Sequence, residues 1–542
     1  MRAPATSFIK GIVGGRMEFR SLLAALPGKK RAIYVFERGK VVRHPHAGLH
    51  DDVVRVRENL RAWGVKAGSR VGIYASNSYH WLVHDLALIE LGAISVPFTD
   101  DFAGRVNQAL LDQYNIALLL IAKRDARLFA PRPAHVAFID AANDKANDNA
   151  NANVRVLDRP PSGEADEDDQ HSLVFSSGSA GGLKGLVISR KGVEATLPPI
   201  FEALDVTSKD RLLLFLPMSN FQQRNMCYAA LWYDIDLIIT DYNQLFAAMP
   251  ALSPTLLLGP PVLFQMIHAE YQKYPSWKKS LWTLFSSLLA LLPSATLRQS
   301  LARLLFRDFY KQFGDRIRLL TTGMAPIRRN LGKFFERLQL PLCESYGMVE
   351  AGSITYRPPG SRDYGTVGKP LRGVELQFSP DNEIIVSREM NMTLRYFQCA
   401  QGENERTFLG DGRIATGDMG RLDSEGNLFL LGRKKELLIT PGGLKVHPET
   451  IEQELNNSPD IAHSVIYLKP HANHLTCVVD LVPPGDEAAR VRVKEFANRL
   501  PSAKKAAQFV EVIFADTPFT ADNGMLRPNM KIDRKAIAAR YL

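Results

Sequence analysis

"VVRVRENLRAWGVKAGSRVGIYASNSYHWLVHDLALIELGAISVPF", residues 53–98, decides the fold class. "VVRVRENLRAWGV" has helical spacing, whereas "RVGIYAS" (70–76) alternates as a half-buried strand does. "WLVHDLALIELGA" (81–93) is helical again, and "ISVPF" (94–98) is a short strand. Helix and strand in alternation predict an α/β architecture, a parallel sheet with helices on both faces.

Downstream, residues 141–170 are rich in Asn, Asp, Ala and Pro and offer little to bury, so they read as an exposed connection. "FSSGSAGGLKGL" (175–186) follows at once, with strand signals on each side ("SLVF" and "GLVIS"), which predicts a glycine-rich hairpin turn. It is not a P-loop. That motif needs Gly-Lys-Ser/Thr between a strand and a helix, whereas here Leu183 precedes Lys184 and Gly185 follows it. A flexible turn of backbone amides, serine hydroxyls and one ammonium can still wrap a polyphosphate, and can equally be only a turn.

The chain as a whole has 542 residues, 46% hydrophobic and 23% charged, enough for two or three globular domains. Cys227, Cys343, Cys399 and Cys477 are far apart and form no Cys-x-x-Cys pair, which points to neither a disulfide framework nor a structural zinc, and to a reducing compartment. The net charge is +10, and residues 1–50 alone hold ten Lys or Arg against Glu18 and Glu37. Such an arm suits anionic lipid or nucleic acid; a solvated basic face is the simpler reading. No export signal is read in the first twenty residues, which lack an apolar core of signal-peptide length.

"LWTLFSSLLALL" (281–292) stops at Pro293, too short to span a bilayer, and is expected to be a buried helix. After it, Leu297, Leu301, Leu304 and Leu305 fall on one helical face with Arg298, Arg303 and Arg307 off it, a pattern open to core packing or to a membrane surface.

Five ordered blocks resemble those of the adenylate-forming superfamily, whose members include acyl-CoA synthetases, luciferases and nonribosomal adenylation domains. They are the glycine-rich stretch, "ESYGMVEAG" (344–352), "YGTVGKPLRGVE" (364–375), "IATGDMGRLDSEGNLFLLGRKKELLITPGGLKVHPETIE" (414–452) and "FTADNGMLRPNMKIDRKAI" (519–537). "PTLLLGPPVLFQMI" (254–267), the "GRKKELLITPGG" phrase and the C-terminal ending are most similar to the long-chain acyl-CoA synthetase branch.

The resemblance implies a large N-terminal domain, residues 1–434, and a small mobile α+β lid, residues 435–542. It implies ATP-dependent activation of a fatty or similar carboxylic acid to acyl-AMP, then transfer to coenzyme A. Ser176, Ser177, Gly178, Ser179 and Lys184 would hold the β- and γ-phosphates, and Glu350 would hold Mg²⁺. Tyr346 would stack on adenine beside Gly347, with the backbone of Gly323 to Pro326, Ala325 included, edging the purine. Asp418 would accept ribose hydroxyls and Arg433 would assist. Lys531 would bridge carboxylate and α-phosphate as they react, and Lys435 would be the hinge. Little covalent work is asked of the protein, because the chemistry needs charge neutralised and groups aligned.

An alternative acceptor is the phosphopantetheine of an acyl carrier protein. A binding relic without turnover is a third reading, which the retained Lys184, Glu350, Asp418, Arg433 and Lys531 oppose. No nucleic-acid partner is expected, since the basic residues are not interleaved with exposed aromatics. The expected location is cytoplasmic, with peripheral membrane contact as the variant. Ala180 and Leu183 depart from the family's loop, and Asn220 stands where long-chain synthetases carry His, while Arg224 of the same pattern is kept.

Overall fold

The computed structural model describes residues 17–542 except 99–101, 103, 130, 141–150, 160–168, 178–182, 324–326, 362–363, 441–443, 470–473, 483, 508, 521 and 527–531; at 176, 177, 183, 295, 296 and 505 only the backbone is described. The opening stretch folds as its pattern dictates. Helices His46–Trp63 and Tyr79–Leu91 alternate with strands Arg70–Tyr74 and Ile94–Pro97. The Ser78 side chain accepts a hydrogen bond from the Trp81 amide and so caps the second helix, satisfying an amide that the helix itself cannot.

These strands lie in a seven-stranded sheet. Arg70–Tyr74 pairs in parallel with Ile94–Pro97 and Ile116–Ile121, and Ile94–Pro97 pairs in parallel with Gln170–Ser177. The glycine-rich stretch is the predicted hairpin, with Gln170–Ser177 antiparallel to Leu183–Ser189, and Thr393–Phe397 closes that edge. A nine-stranded sheet has a parallel centre in the spatial order Leu342–Met348, Leu319–Thr322, Leu256–Gly259, Arg211–Leu214, Asp236–Ile239 and Ala32–Glu37. A third sheet, antiparallel, is built on Arg413–Leu422, which pairs with Glu383–Ser387 and Leu428–Arg433.

Burial follows the pleat. In Ile116–Ile121, Leu118 and Leu120 join a core that also takes Leu212, Leu237 and the helices between the two large sheets, while Leu119 and Ile121 face a second core with Phe98, Leu111 and Phe397. The far face of the nine-stranded sheet is covered by Pro261–Gln272, Ser276–Ala290 and Arg329–Arg337. The protein is therefore α/β, with helices on both faces of its sheets. Its last hundred residues add an α+β unit, in which Ile461–Tyr467, Leu475–Leu481 and Val510–Phe514 form a three-stranded sheet. Its buried cores draw only on residues between Val446 and Ile537.

One expectation is corrected. Most of the segment 281–292 is helical, in Ser276–Ala290, but it is not buried on all sides: Trp282, Ser286 and Leu289 are buried and Phe285 and Leu292 pack partly against the core, while the rest face out. Leu297 and Leu304 of the next helix are exposed as well.

Candidate functional site

Among the described residues, Tyr346, Asp418 and Arg433 on the one hand and Lys184 and Glu350 on the other are joined by contacts that run between the three sheets. Strands Leu319–Thr322 and Leu342–Met348 are parallel neighbours, so their C-terminal ends deliver Gly323 and Tyr346 to one edge, the place where open α/β sheets take ligands. A Cβ at Gly323 would come within 2.9 Å of the Ser345 carbonyl oxygen, and one at Gly347 within 2.6 Å of the Gly352 carbonyl oxygen. Both positions need glycine because backbone passes there.

Asp418 is buried on Arg413–Leu422, directly opposite Arg433 across the antiparallel pair. Its Oδ1 lies 2.8 Å from Arg433 Nε, and its Oδ2 accepts the Tyr346 hydroxyl at 2.6 Å. The carboxylate is thus fixed by one group from the nine-stranded sheet and one from its own. Burial, and next the Asp418 charge, push the Tyr346 phenol well above its ordinary range, so it stays a donor.

Lys184 and Glu350 meet through a residue that the sequence did not mark. The Lys184 ammonium sits 3.7 Å from the centroid of the Tyr396 ring, and the Tyr396 hydroxyl donates to Glu350 Oε1 at 2.7 Å. Lys184 also pairs with Glu403. Tyr396 belongs to Thr393–Phe397, the edge strand beside the hairpin, and Thr393 pins the same loop by donating from its amide to the Glu350 carbonyl at 3.1 Å. Nothing in the spacing of "LRYFQ" or "QGENE" could have found Tyr396 or Glu403, because Tyr396 reaches the site through strand pairing and Glu403 from the short helix Glu403–Thr407 that follows that strand.

Asn220 and Arg224 are explained locally. The Asn220 side chain accepts from the Gln222 amide at 3.1 Å and caps helix Phe221–Trp232, a position asparagine favours. Arg224 is fully buried and donates to Asp85 at 3.1 Å and to the Ser95 and Ser172 hydroxyls at 2.9 Å each, which ties a helix to two strands of the hairpin's sheet.

Beyond Arg433, Lys435 lies exposed in the turn Lys434–Glu436, while Lys434 is anchored to Glu383 at 2.7 Å and Asp381 at 2.9 Å. Arg534 joins this turn to the C-terminal unit, 3.0 Å from Glu436 and 2.6 Å from the buried Glu452. A Cβ on Gly432 would lie 3.3 Å from the Glu449 carboxylate, whose pKa is raised by burial and then by the nearby Glu436 charge. The two units also touch where Asn330 Nδ2 donates to the Asn457 carbonyl at 3.2 Å.

Of the other expected residues, Ser176 and Ser177 end the strand Gln170–Ser177, while Gly178, Ser179, Ala325 and Lys531 lie outside the described residues. The segment that carries Lys531 is closed at its base by a bridge between Leu526 and Ile532.

A family model described as AMP-binding enzyme matches residues 23–383. The long-chain-fatty-acid–CoA ligase FadD15 of Mycobacterium bovis is 27% identical over 543 residues, covering 89% of this chain and 88% of that protein. Among solved structures, ATP-bound MatB from Rhodopseudomonas palustris matches with a TM-score of 0.72 at 22% identity, covering 96% of this chain and 98% of that one. O-succinylbenzoate coenzyme A synthetase from Bacillus subtilis, solved with ATP and magnesium, matches with a TM-score of 0.69 at 19% identity, covering 93% and 97%.

Proposed function

The chain belongs to the AMP-binding enzyme family, and from that premise we propose that it joins a fatty or similarly apolar carboxylic acid to coenzyme A at the expense of ATP. In the first step a carboxylate oxygen attacks the α-phosphorus, the bond to the bridging oxygen breaks, and pyrophosphate leaves with that electron pair. In the second the coenzyme A sulfur attacks the acyl carbon, AMP departs with the oxygen it gained, and the thiol proton passes to solvent. The apolar acid is supported by the printed activity of the Mycobacterium bovis relative.

The observations that carry the reading are two groups of contacts, Lys184–Tyr396–Glu350 and Arg433–Asp418–Tyr346. Nucleotide phosphates call for positive charge, from an ammonium and from a cation that a carboxylate can hold, and the ribose hydroxyls for an acceptor such as a carboxylate. Lys184, with the amides and hydroxyls of residues 176–179, would neutralise the β- and γ-phosphates, and would release Glu403 to do so. Asp418, held by Arg433 at one oxygen and by Tyr346 at the other, would accept the ribose hydroxyls. The same bond from Tyr346 fixes its ring for stacking on adenine.

Magnesium fits the donor set as an ion that comes with the phosphates. Among the described residues no cluster of three or more His, Cys, Asp or Glu could hold a metal alone, and a single hard carboxylate plus phosphate oxygens is a common arrangement for this ion. Glu350 would be that carboxylate, oriented by the Tyr396 hydroxyl. When bound, the ion would supply positive charge to the leaving pyrophosphate.

Lys531 would bring the remaining positive charge to the carboxylate and α-phosphate. We place the domain boundary at 434/435 and the hinge at Lys435, between cores that share no buried residue. Exchange of labelled pyrophosphate into ATP across a panel of acids tests the reading, with thioester formation then followed for coenzyme A and for a carrier protein. Exchange with fatty acids and transfer to coenzyme A are expected. Exchange with no carboxylic acid would overturn the activity, and transfer to the carrier protein alone would overturn the acceptor.

A further inference from the structure

Residues 276–311 expose an apolar stripe that the protein's own core leaves uncovered. Along Ser276–Ala290 and its C-cap, Trp277, Leu281, Leu284, Leu288 and Leu291 recur at alternating intervals of four and three residues, which puts them on one face. They are exposed by 68%, 38%, 55%, 53% and 80%, whereas Trp282 and Leu289 on the opposite face are buried. The adjoining helix Ala295–Leu305 packs against the first and exposes Leu297 and Leu304 in turn. Scattered exposed leucines are ordinary, but five apolar residues on one helical face, with two more exposed leucines on the helix packed against it, mark a surface that meets something apolar.

Charge identifies the partner. The same residues hold Lys278, Lys279, Arg298, Arg303, Arg307 and Lys311 against Asp308 alone, and Lys278 takes Asp308 at 2.5 Å. Lys279, Arg298 and Arg303 donate to the backbone carbonyls of Gln272, Leu292 and Ile317, which orients them without cancelling their charge. A second copy would be a poor occupant, because a two-fold contact sets each patch against itself and so opposes like charges. No helix among the described residues is long and apolar enough to cross a bilayer.

We propose that the hairpin 276–305 docks on an anionic lipid surface. The stripe from Trp277 to Leu291, with Leu297 and Leu304, enters the boundary between headgroups and acyl chains, and Arg307, Lys311 and their basic neighbours meet the lipid phosphates. Tryptophan at one end of the stripe suits that boundary, since its ring is amphipathic. The inference does not depend on the reaction proposed above.

Flotation of the full chain with vesicles tests it, using phosphatidylcholine alone and phosphatidylcholine with phosphatidylglycerol. The wild-type chain is expected to float with the anionic vesicles and far less with the neutral ones. Leu284→Glu with Leu288→Glu should lower that partitioning by about tenfold or more while the thermal midpoint holds, since both side chains already face water. Arg307→Glu with Lys311→Glu should weaken binding to the anionic vesicles. A wild-type chain that stays unbound, a leucine pair variant that floats as well as wild type, or a wild-type dimer that the leucine variant dissociates would each overturn the proposal.

Discussion

The large body and the C-terminal unit use their buried charges differently. In the body, Asp418 is held between Arg433 of its own sheet and Tyr346 of another, and Lys184 and Glu350 are joined through Tyr396 of a third strand system. Those contacts cross between sheets, so they fix groups relative to one another before any ligand arrives. In the C-terminal unit a half-buried ionic contact, Arg534 with Glu452 and Glu436, ties the unit to its own connector. On the function proposed above, the body holds the nucleotide while the unit moves as one piece and carries Lys531, three residues before Arg534.

The largest effect expected from breaking this contrast is at Lys531. Replacing it with alanine should slow acyl-AMP formation about 10² to 10³-fold, as loss of one charge-stabilising group in a transition state does, read by pyrophosphate exchange. Asp418→Asn should cost about tenfold to a hundredfold in kcat/KM for ATP, the range for a lost charged hydrogen bond.

Arg534→Gln leaves Glu452 buried without its cation and should destabilise the C-terminal unit by about 3 kcal/mol, seen as an earlier denaturant transition for that unit. Glu452→Gln in the same background should recover part of the loss, because no carboxylate is then stranded.

The two regions should also answer pH with opposite signs. Burial pushes the His84 imidazole down to about 4, with Nδ1 engaged at the His80 carbonyl. The unfolded chain binds that proton from about pH 6.5 downward and the folded body does not, so the body should lose up to about 3 kcal/mol as pH falls from 6.5 to 4. Glu449 is shifted the other way, upward by burial and by Glu436. The folded unit keeps its proton above about pH 4.5, where the unfolded chain releases it, so the unit loses stability as pH rises until the raised value is passed. Hydrogen exchange in Tyr79–Leu91 and in Pro448–Leu455 across that range reads the two trends separately.

The smallest effect concerns Tyr396. Its change to phenylalanine keeps the ring over Lys184 and removes the bond to Glu350, so about 1 kcal/mol, or roughly fivefold in kcat/KM for ATP, is expected. The alanine variant, which removes both contacts, should lose more.

The sequence made some of this visible and hid the rest for physical reasons. Alternation over 53–98 and the glycine-rich hairpin were readable because local period and turn chemistry decide them. Asp418 and Arg433 were readable as motif residues, and their register opposite each other could be met only in the folded sheet. Tyr396 and Glu403 were invisible, since their partner Lys184 is more than two hundred residues away and only the folded chain, through a strand pair and the helix after it, unites them. Leu281–Leu292 misled, because a helix apolar all round looks buried in sequence whether or not a second layer covers it. Asn220, which departs from the family's pattern, also caps the helix that follows it, a role that the folded chain alone reveals.

Setting Lys531→Ala beside Asp418→Asn in the two separate half-reactions, pyrophosphate exchange and thioester formation from supplied acyl-AMP, tests the division between holding and travelling most directly. The account predicts that the lysine variant loses exchange and keeps thioester formation near wild type, whereas the aspartate variant loses both. Equal loss of both half-reactions in the lysine variant would contradict it.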